Sequence, residues 1–164
     1  MDEPVRQLME TQTGAREAID RVVASAKLQL RIFDEDPAHL RDRGFATPAR
    51  IDALRQFLLG GRNRTVTLVL HETRSIESEL PRLVALIGQF SGQVPIRRTA
   101  GRAREAHDPL VIADDHSFWH KLHVDHPRSV GSFNHPIDAL PLIERFGEIF
   151  ESSEVATAGT SLGL

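Results

Sequence analysis

Apolar positions along the chain recur with two periods. Ala15, Ala18, Ile19, Val22, Val23 and Ala26 fall at steps of three and four, which predicts an amphipathic helix over residues 14–27. Leu28, Leu30 and Ile32 then alternate with polar neighbours, the period of a strand, over residues 28–33. The acidic loop Asp34-Glu35-Asp36 and Pro37 end it. Thr47-Pro48 offers a capping side chain and a first-turn proline to a helix carrying Ile51, Leu54, Phe57 and Leu58. Gly60-Gly61 closes that helix, since glycine takes the left-handed conformation cheaply. The β-branched run at Thr65–Leu70 predicts a second strand. Residues 77–90 predict a helix with Leu80, Leu83, Val84, Ile87 and Phe90 on one face, and residues 94–98 a third strand.

Alternation of helix and strand argues for parallel neighbours joined by crossover helices. After residue 100 the rhythm changes. Leu110–Ala113, 117–124 and Ser129–Phe133 are short strand-like runs separated by tight polar turns, which suits antiparallel pairing. Pro136 opens a last helix with Ile137, Leu140, Leu142, Ile143, Phe146, Ile149 and Phe150 on its face. The expected fold class is α/β: one domain over residues 14–152, a mixed sheet of about six or seven strands flanked by helices. Residues 1–13 are an N-terminal segment and residues 153–164 a small, polar, flexible tail.

Composition narrows the chemistry. At 164 residues, one core is the default. The net charge of -3 gives no global field for nucleic acid; with no tyrosine and a single tryptophan there is also no stacking platform, so nucleic acid is not the expected partner. Without cysteine there are no disulfides, thiolate sites or cysteine nucleophiles. No apolar run reaches the roughly 20 residues of a membrane span, and the acidic start at Met1-Asp2-Glu3-Pro4 is unlike a secretory signal, so a soluble, cytoplasmic protein is expected.

Six of the eight histidines lie between His107 and His135, together with Trp119, Lys121, Asp114, Asp115, Asp125, Ser132 and Asn134. Two patterns there carry a family resemblance. One is His107-Asp108-Pro109-Leu110-Val111-Ile112-Ala113-Asp114. The other is Gly131-Ser132-Phe133-Asn134 ahead of a helix ending in Phe146-Gly147-Glu148-Ile149-Phe150. Together they resemble a half-domain of the phospholipase D superfamily, whose signature runs His-x-Lys, four residues, Asp, then Gly-Ser-x-Asn. The chain is also similar to a little-studied bacterial domain of that fold, sometimes found beside acetyltransferase domains. The resemblance implies His107, Asp114 and Asn134 as remnants of a phosphodiesterase site, and it implies pairing of two copies as a homodimer.

The sequence departs from the signature at Pro109, which stands where the superfamily lysine would neutralise phosphate. An alternative alignment uses His120-Lys121 and Asp125 and offers Lys121 and His123 as site residues, but adjacent strand residues point to opposite faces. Two readings therefore stay open. One is a noncatalytic binding or interaction module of degenerate site, recognising a phosphate-containing ligand through Arg97, Arg98, Arg104 and Ser132. The other is a phosphodiesterase or nuclease acting through a phosphohistidine. Each residue also has a plainer role: His107 in a loop before a strand, Asp114-Asp115 as a turn, Ser132 or Asn134 as a cap near Pro136, the arginines as a solvated face. No metal and no cofactor are expected, because His120 and His123 diverge on a strand. For residues 117–124, burial of Phe118, Leu122 and Val124 should place Trp119, Lys121 and His123 on the face away from the main core, with His120 inward.

Overall fold

In a computed structural model, which describes residues 2–157, eight strands form one sheet. They are β1 (Val5–Met9), β2 (Gln29–Asp34), β3 (Thr65–Leu70), β4 (Ile96–Thr99), β5 (Leu110–Ala113), β6 (Ser117–Lys121), β7 (Ser129–Phe133) and β8 (Ser153–Ala156). Their order is β1-β7-β6-β5-β2-β3-β4-β8. β2 is parallel to β3, and β3 to β4, while every other pairing is antiparallel. The change from a parallel front to an antiparallel back follows the change in rhythm along the chain.

One face of the sheet is covered by α1 (Gln12–Ser25), α2 (Pro37–Leu40), α3 (Pro48–Leu59), α4 (Ile76–Glu79) and α5 (Pro81–Gln89), over a core that includes Ile19, Val22, Leu30, Ile32, Leu54, Leu68, Val111 and Trp119. The other face carries α6 (Pro136–Glu151) and a 3-10 turn at Gly101–Glu105, over Phe33, Val69, Ile112, Phe118 and Phe146. Both faces carry helices, and β5 is wholly apolar and buried, while β2 and β3 keep half-buried polar residues at Gln29, Arg31, Thr65 and Thr67. Thr11 caps α1 and Thr47 caps α3, each through its side-chain oxygen, and Pro48 occupies the first turn of α3.

Several boundaries differ from the sequence expectation. The N-terminal segment contributes β1, which pairs with β7, and Ser153–Ala156 pairs with β4 as β8 instead of lying in a flexible tail. Both run along sheet edges, where few apolar residues are needed and the periodic signal is weak. The rest of that tail, 158–164, lies outside the described residues. The helix expected at 77–90 is broken at Leu80, ahead of Pro81, because the residue before proline is pushed out of the helical region. β6 stops at Lys121, and its faces are reversed from expectation: Trp119 is buried in the larger core, while Leu122 is exposed. A sheet covered on both sides gives neither face to solvent, so the apolar-in, polar-out rule does not apply here. His120 does lie on the Phe118 face, and it has the partner that position requires.

Asp34 and Arg43 form a buried pair at the end of β2, with Arg43 Nε donating to Asp34 Oδ2 at 3.0 Å and its guanidinium 5.4 Å from the Trp119 ring. Burial raises the pKa of Asp34 despite the charge of Arg43 beside it. Replacing Arg43→Met would leave a buried carboxylate without its cation. Denaturant unfolding is expected to show a loss of about 3–5 kcal/mol for that variant, and a smaller loss for the double replacement of Asp34→Leu with Arg43→Met.

Candidate histidine-carboxylate site

Parallel strands β2, β3 and β4 end at one edge of the sheet, and β5, running the other way, begins there. Such carboxyl ends are where α/β folds build sites. Glu35 follows β2, His71 follows β3, Thr99 closes β4 and His107 precedes β5. Glu35 Oε2 lies 2.9 Å from His107 Nδ1 and 3.4 Å from His71 Nε2. A carboxylate only accepts, so His107 Nδ1 carries a proton toward Glu35 and its Nε2 is left for other work. His71 Nε2 is 2.6 Å from the Ala106 carbonyl and its Nδ1 2.5 Å from Thr99 Oγ1. The carbonyl fixes Nε2 as donor, and the Thr99 hydroxyl donates to Nδ1. Ring contacts continue the cluster: His71 meets Phe33 edge-on at 5.3 Å and His107 at 5.8 Å, and His107 lies 5.6 Å from His123 with the rings tilted.

Beside His71 and Thr99 opens a hollow of about 380 Å³, lined also by Glu72, Arg74, Arg98 and Arg104. Arg98 lies 3.6 Å from Glu154, an exposed pairing of little strength. Arg104 is exposed and has no ion-pair or hydrogen-bond partner among the described residues. The hollow therefore joins three arginines to the histidine cluster, of which Arg74 lies 3.8 Å from Glu72.

The next residue, Asp108, turns to a different group. It accepts from His120 Nε2 at 2.9 Å and from Arg145 Nε at 2.9 Å and Nη2 at 2.5 Å. Burial alone would raise its pKa, but these bonds outweigh it and hold the carboxyl down at about 2.

Of the residues expected to form a site, His107 and His123 come together, and Arg98 and Arg104 lie nearby. The others do not join them. Asp114 sits at the far end of β5, where its carboxylate accepts the backbone N–H groups of Lys27, Leu28 and Gln29 at 2.8–2.9 Å. Burial opposes its ionisation, but those bonds lower its pKa. Asn134, with φ of 57°, follows β7 at that same far end, and its backbone N–H donates to Ser117 Oγ. Ser132 donates to Asp138, and His135, one residue beyond the expected cap, caps α6. Gly131 is required by packing: a Cβ there would come within 2.9 Å of the Phe133 ring. Arg97 is bound to Ser153 and stacks over Phe150. Lys121 faces the other side of the sheet, in a hollow with Arg43, Asp42, Thr11 and Gln12; burial and the charge of Arg43 lower its pKa.

Glu35, His71 and Thr99 lie outside the histidine-rich segment, so its composition does not point to them. The signal for them was positional, since each follows or ends a parallel strand.

Because Asp108 is held below the ordinary carboxylate range, its contribution is present above a pH of about 4 and is lost as pH falls toward about 2. Acid unfolding followed by circular dichroism is expected to lose on the order of 1–2 kcal/mol across that window, discounted for partial exposure. Asp108→Asn is expected to be less stable at neutral pH and to lack that segment of the titration.

The fold has known relatives in structure. Nuc from Salmonella typhimurium, a phospholipase D family member, superposes with a TM-score of 0.67 at 18% identity, over 95% of this chain and 100% of that one. TrmBL2, an archaeal chromatin protein with a novel mode of DNA binding, gives 0.64 at 12% identity over 92% of this chain and 54% of that one. Phosphatidylserine synthase from Haemophilus influenzae gives 0.61 at 15% identity over 96% and 40%. The fold is thus phospholipase D-like, with eight strands where about six or seven were expected. No described helix is long and apolar enough to cross a membrane. No curated protein matches. A family model does, over residues 11–162, and the chain belongs to that family, described as Domain of unknown function (DUF7931).

Proposed function

We propose that this domain is a phosphate-recognising module on a phospholipase D-like fold that has given up hydrolysis. The observation that carries the reading is the surroundings of His107. Where the superfamily's lysine would stand is Pro109, whose side chain is buried and uncharged. The alternative lysine, Lys121, lies on the opposite face of the sheet. The charged group that does touch His107 is Glu35, a carboxylate, which disfavours a phosphoryl group beside the ring. Phosphoryl transfer depends on cations placed around the transferred group, and among the described residues no Lys or Arg is hydrogen-bonded or ion-paired with His107 or Glu35.

Binding has better support than turnover. Arg98 and Arg104 flank the hollow beside His71, and guanidinium groups match phosphate oxygens in a fork geometry. The ligand class is a small phosphorylated molecule, since the net charge is -3 and the hollow itself offers three arginines, Arg74, Arg98 and Arg104. Pairing of two copies belongs to this reading, because the chain spans the whole of Nuc but only 40% of the phosphatidylserine synthase. A rival reading keeps His107 as a nucleophile. It is favoured by one feature, the Nδ1–Glu35 bond, which orients the ring and leaves Nε2 free.

Two measurements separate the readings. Incubation with bis-p-nitrophenyl phosphate is expected to give no turnover above buffer; turnover abolished by His107→Ala would establish the rival. Thermal shift against inorganic phosphate, nucleoside monophosphates, sugar phosphates and a short oligonucleotide is expected to stabilise with a small phosphorylated ligand. At 100 times the dissociation constant the gain is about 2.7 kcal/mol. Arg98→Ala with Arg104→Ala should remove it. A flat response in the unaltered protein would sink the binding reading. Light scattering at tens of micromolar is expected to give the mass of a dimer.

A further inference from the structure

We propose that Glu35, His71 and His107 form a binding site for a divalent transition-metal cation of the zinc type. The inference stands apart from phosphate binding and needs no turnover.

One ligand atom from each of the three side chains lies within 4.8 Å of the other two. Zinc bonds to histidine nitrogen and carboxylate oxygen at about 2.0–2.2 Å, which sets neighbouring ligand atoms of a tetrahedron about 3.3 Å apart. Glu35 Oε2 already sits 2.9 Å from His107 Nδ1 and 3.4 Å from His71 Nε2. Those two distances lie within about half an ångström of that spacing, and the third pair is within 4.8 Å. The donor set, two imidazoles and one carboxylate, suits zinc and its first-row neighbours and is unlike the all-oxygen sets of magnesium or calcium.

The supports around the three ligands fit as well. They come from the ends of three different strands, held in register by the central sheet, so the set is positioned by rigid elements. His71 is held at its other nitrogen by Thr99 Oγ1, 2.5 Å away. With a cation on Nε2 the ring would change tautomer, and Nδ1–H would donate to that hydroxyl, the outer-shell bond that ligating histidines usually make. The Ala106 carbonyl, which now accepts from Nε2, would be left for an O–H of a metal-bound water. Three protein ligands with a further position for water is the open arrangement of a zinc site that can take a second ligand. The cation would also reverse the local sign: Glu35 would be neutralised and the edge of the arginine hollow would become positive.

The test is calorimetric titration of zinc chloride into chelator-treated full-length protein in phosphate-free buffer, with cobalt absorption as an independent readout of coordination. One equivalent of zinc is expected to bind, and cobalt to give visible ligand-field bands. Glu35→Gln and His107→Ala, compared at equal melting temperature in chelator, are expected to weaken binding by at least the roughly 10–100-fold that even an outer-shell change costs. His126→Ala, on an exposed loop, is expected to bind as the unaltered protein does. Absence of a saturable one-to-one event, or an affinity in Glu35→Gln and His107→Ala equal to that of the unaltered protein, overturns the proposal. Phosphate binding is measured on the chelator-treated protein, so failure of either reading is seen without the other.

Discussion

The antiparallel pairing of β5 with β2 is the constraint on which the candidate site depends. Phe33 lies opposite Leu110, and continuing that register past the strand ends brings Glu35 beside the segment that holds His107 and Asp108. Without the reversal of β5, His107 would sit at the far end of the sheet from His71. Asp114 fixes the opposite end of the same pair. Its left-handed backbone turns the chain from β5 toward β6, and its carboxylate binds three successive N–H groups at the α1–β2 junction. The residue matching the signature's aspartate therefore lies at the other end of the strand from the histidine cluster, where it ties the end of β5 to the start of β2.

Strand alternation then sorts charges between the faces. Asp34 and Glu35 are neighbours, yet Asp34 turns to the larger core and pairs with Arg43, while Glu35 turns to the histidines. His120 and Lys121 divide in the same way: His120 goes to Asp108 and Lys121 to the hollow beside Arg43. Two polar centres of different character thus arise from one stretch of alternating backbone. The sheet between them, with Phe33, Ile32 and Trp119 fully buried, keeps them apart.

The elements were largely legible. Thr65–Leu70, Leu110–Ala113 and Ser129–Phe133 begin and end where their patterns do, because turn residues bound them sharply. The edge strands were not legible, since β1 reads Val-Arg-Gln-Leu-Met and is mostly exposed, so neither composition nor burial marks it. The site was half legible. A histidine-rich segment is a compositional signal that any reader meets, whereas Glu35 and His71 are single residues whose meaning comes only from strand order. Gly131-Ser132-Phe133-Asn134 lies away from the histidine cluster for a physical reason. A full strand, β6, lies between β5 and β7, and each residue of the motif has a local task in ring packing, a bond to Asp138 or a left-handed turn.

Similar folds here belong to a phospholipase D family member, a chromatin protein and a phosphatidylserine synthase, so the fold does not select a chemistry. What selects it is the sign of charge at the strand ends. A phosphoryl group approaching His107 meets Glu35, and two unit charges of like sign about 4 Å apart repel by about 4 kcal/mol at the effective dielectric of a protein surface. A lysine at position 109 would offset that repulsion; proline does not. The same carboxylate, between two imidazoles, attracts a cation as strongly as it repels an anion. Glu35 thus makes the histidine cluster unfavourable for phosphate on its own and favourable for a divalent ion. It leaves the neighbouring Arg98 and Arg104 as the groups that an anionic ligand would reach first.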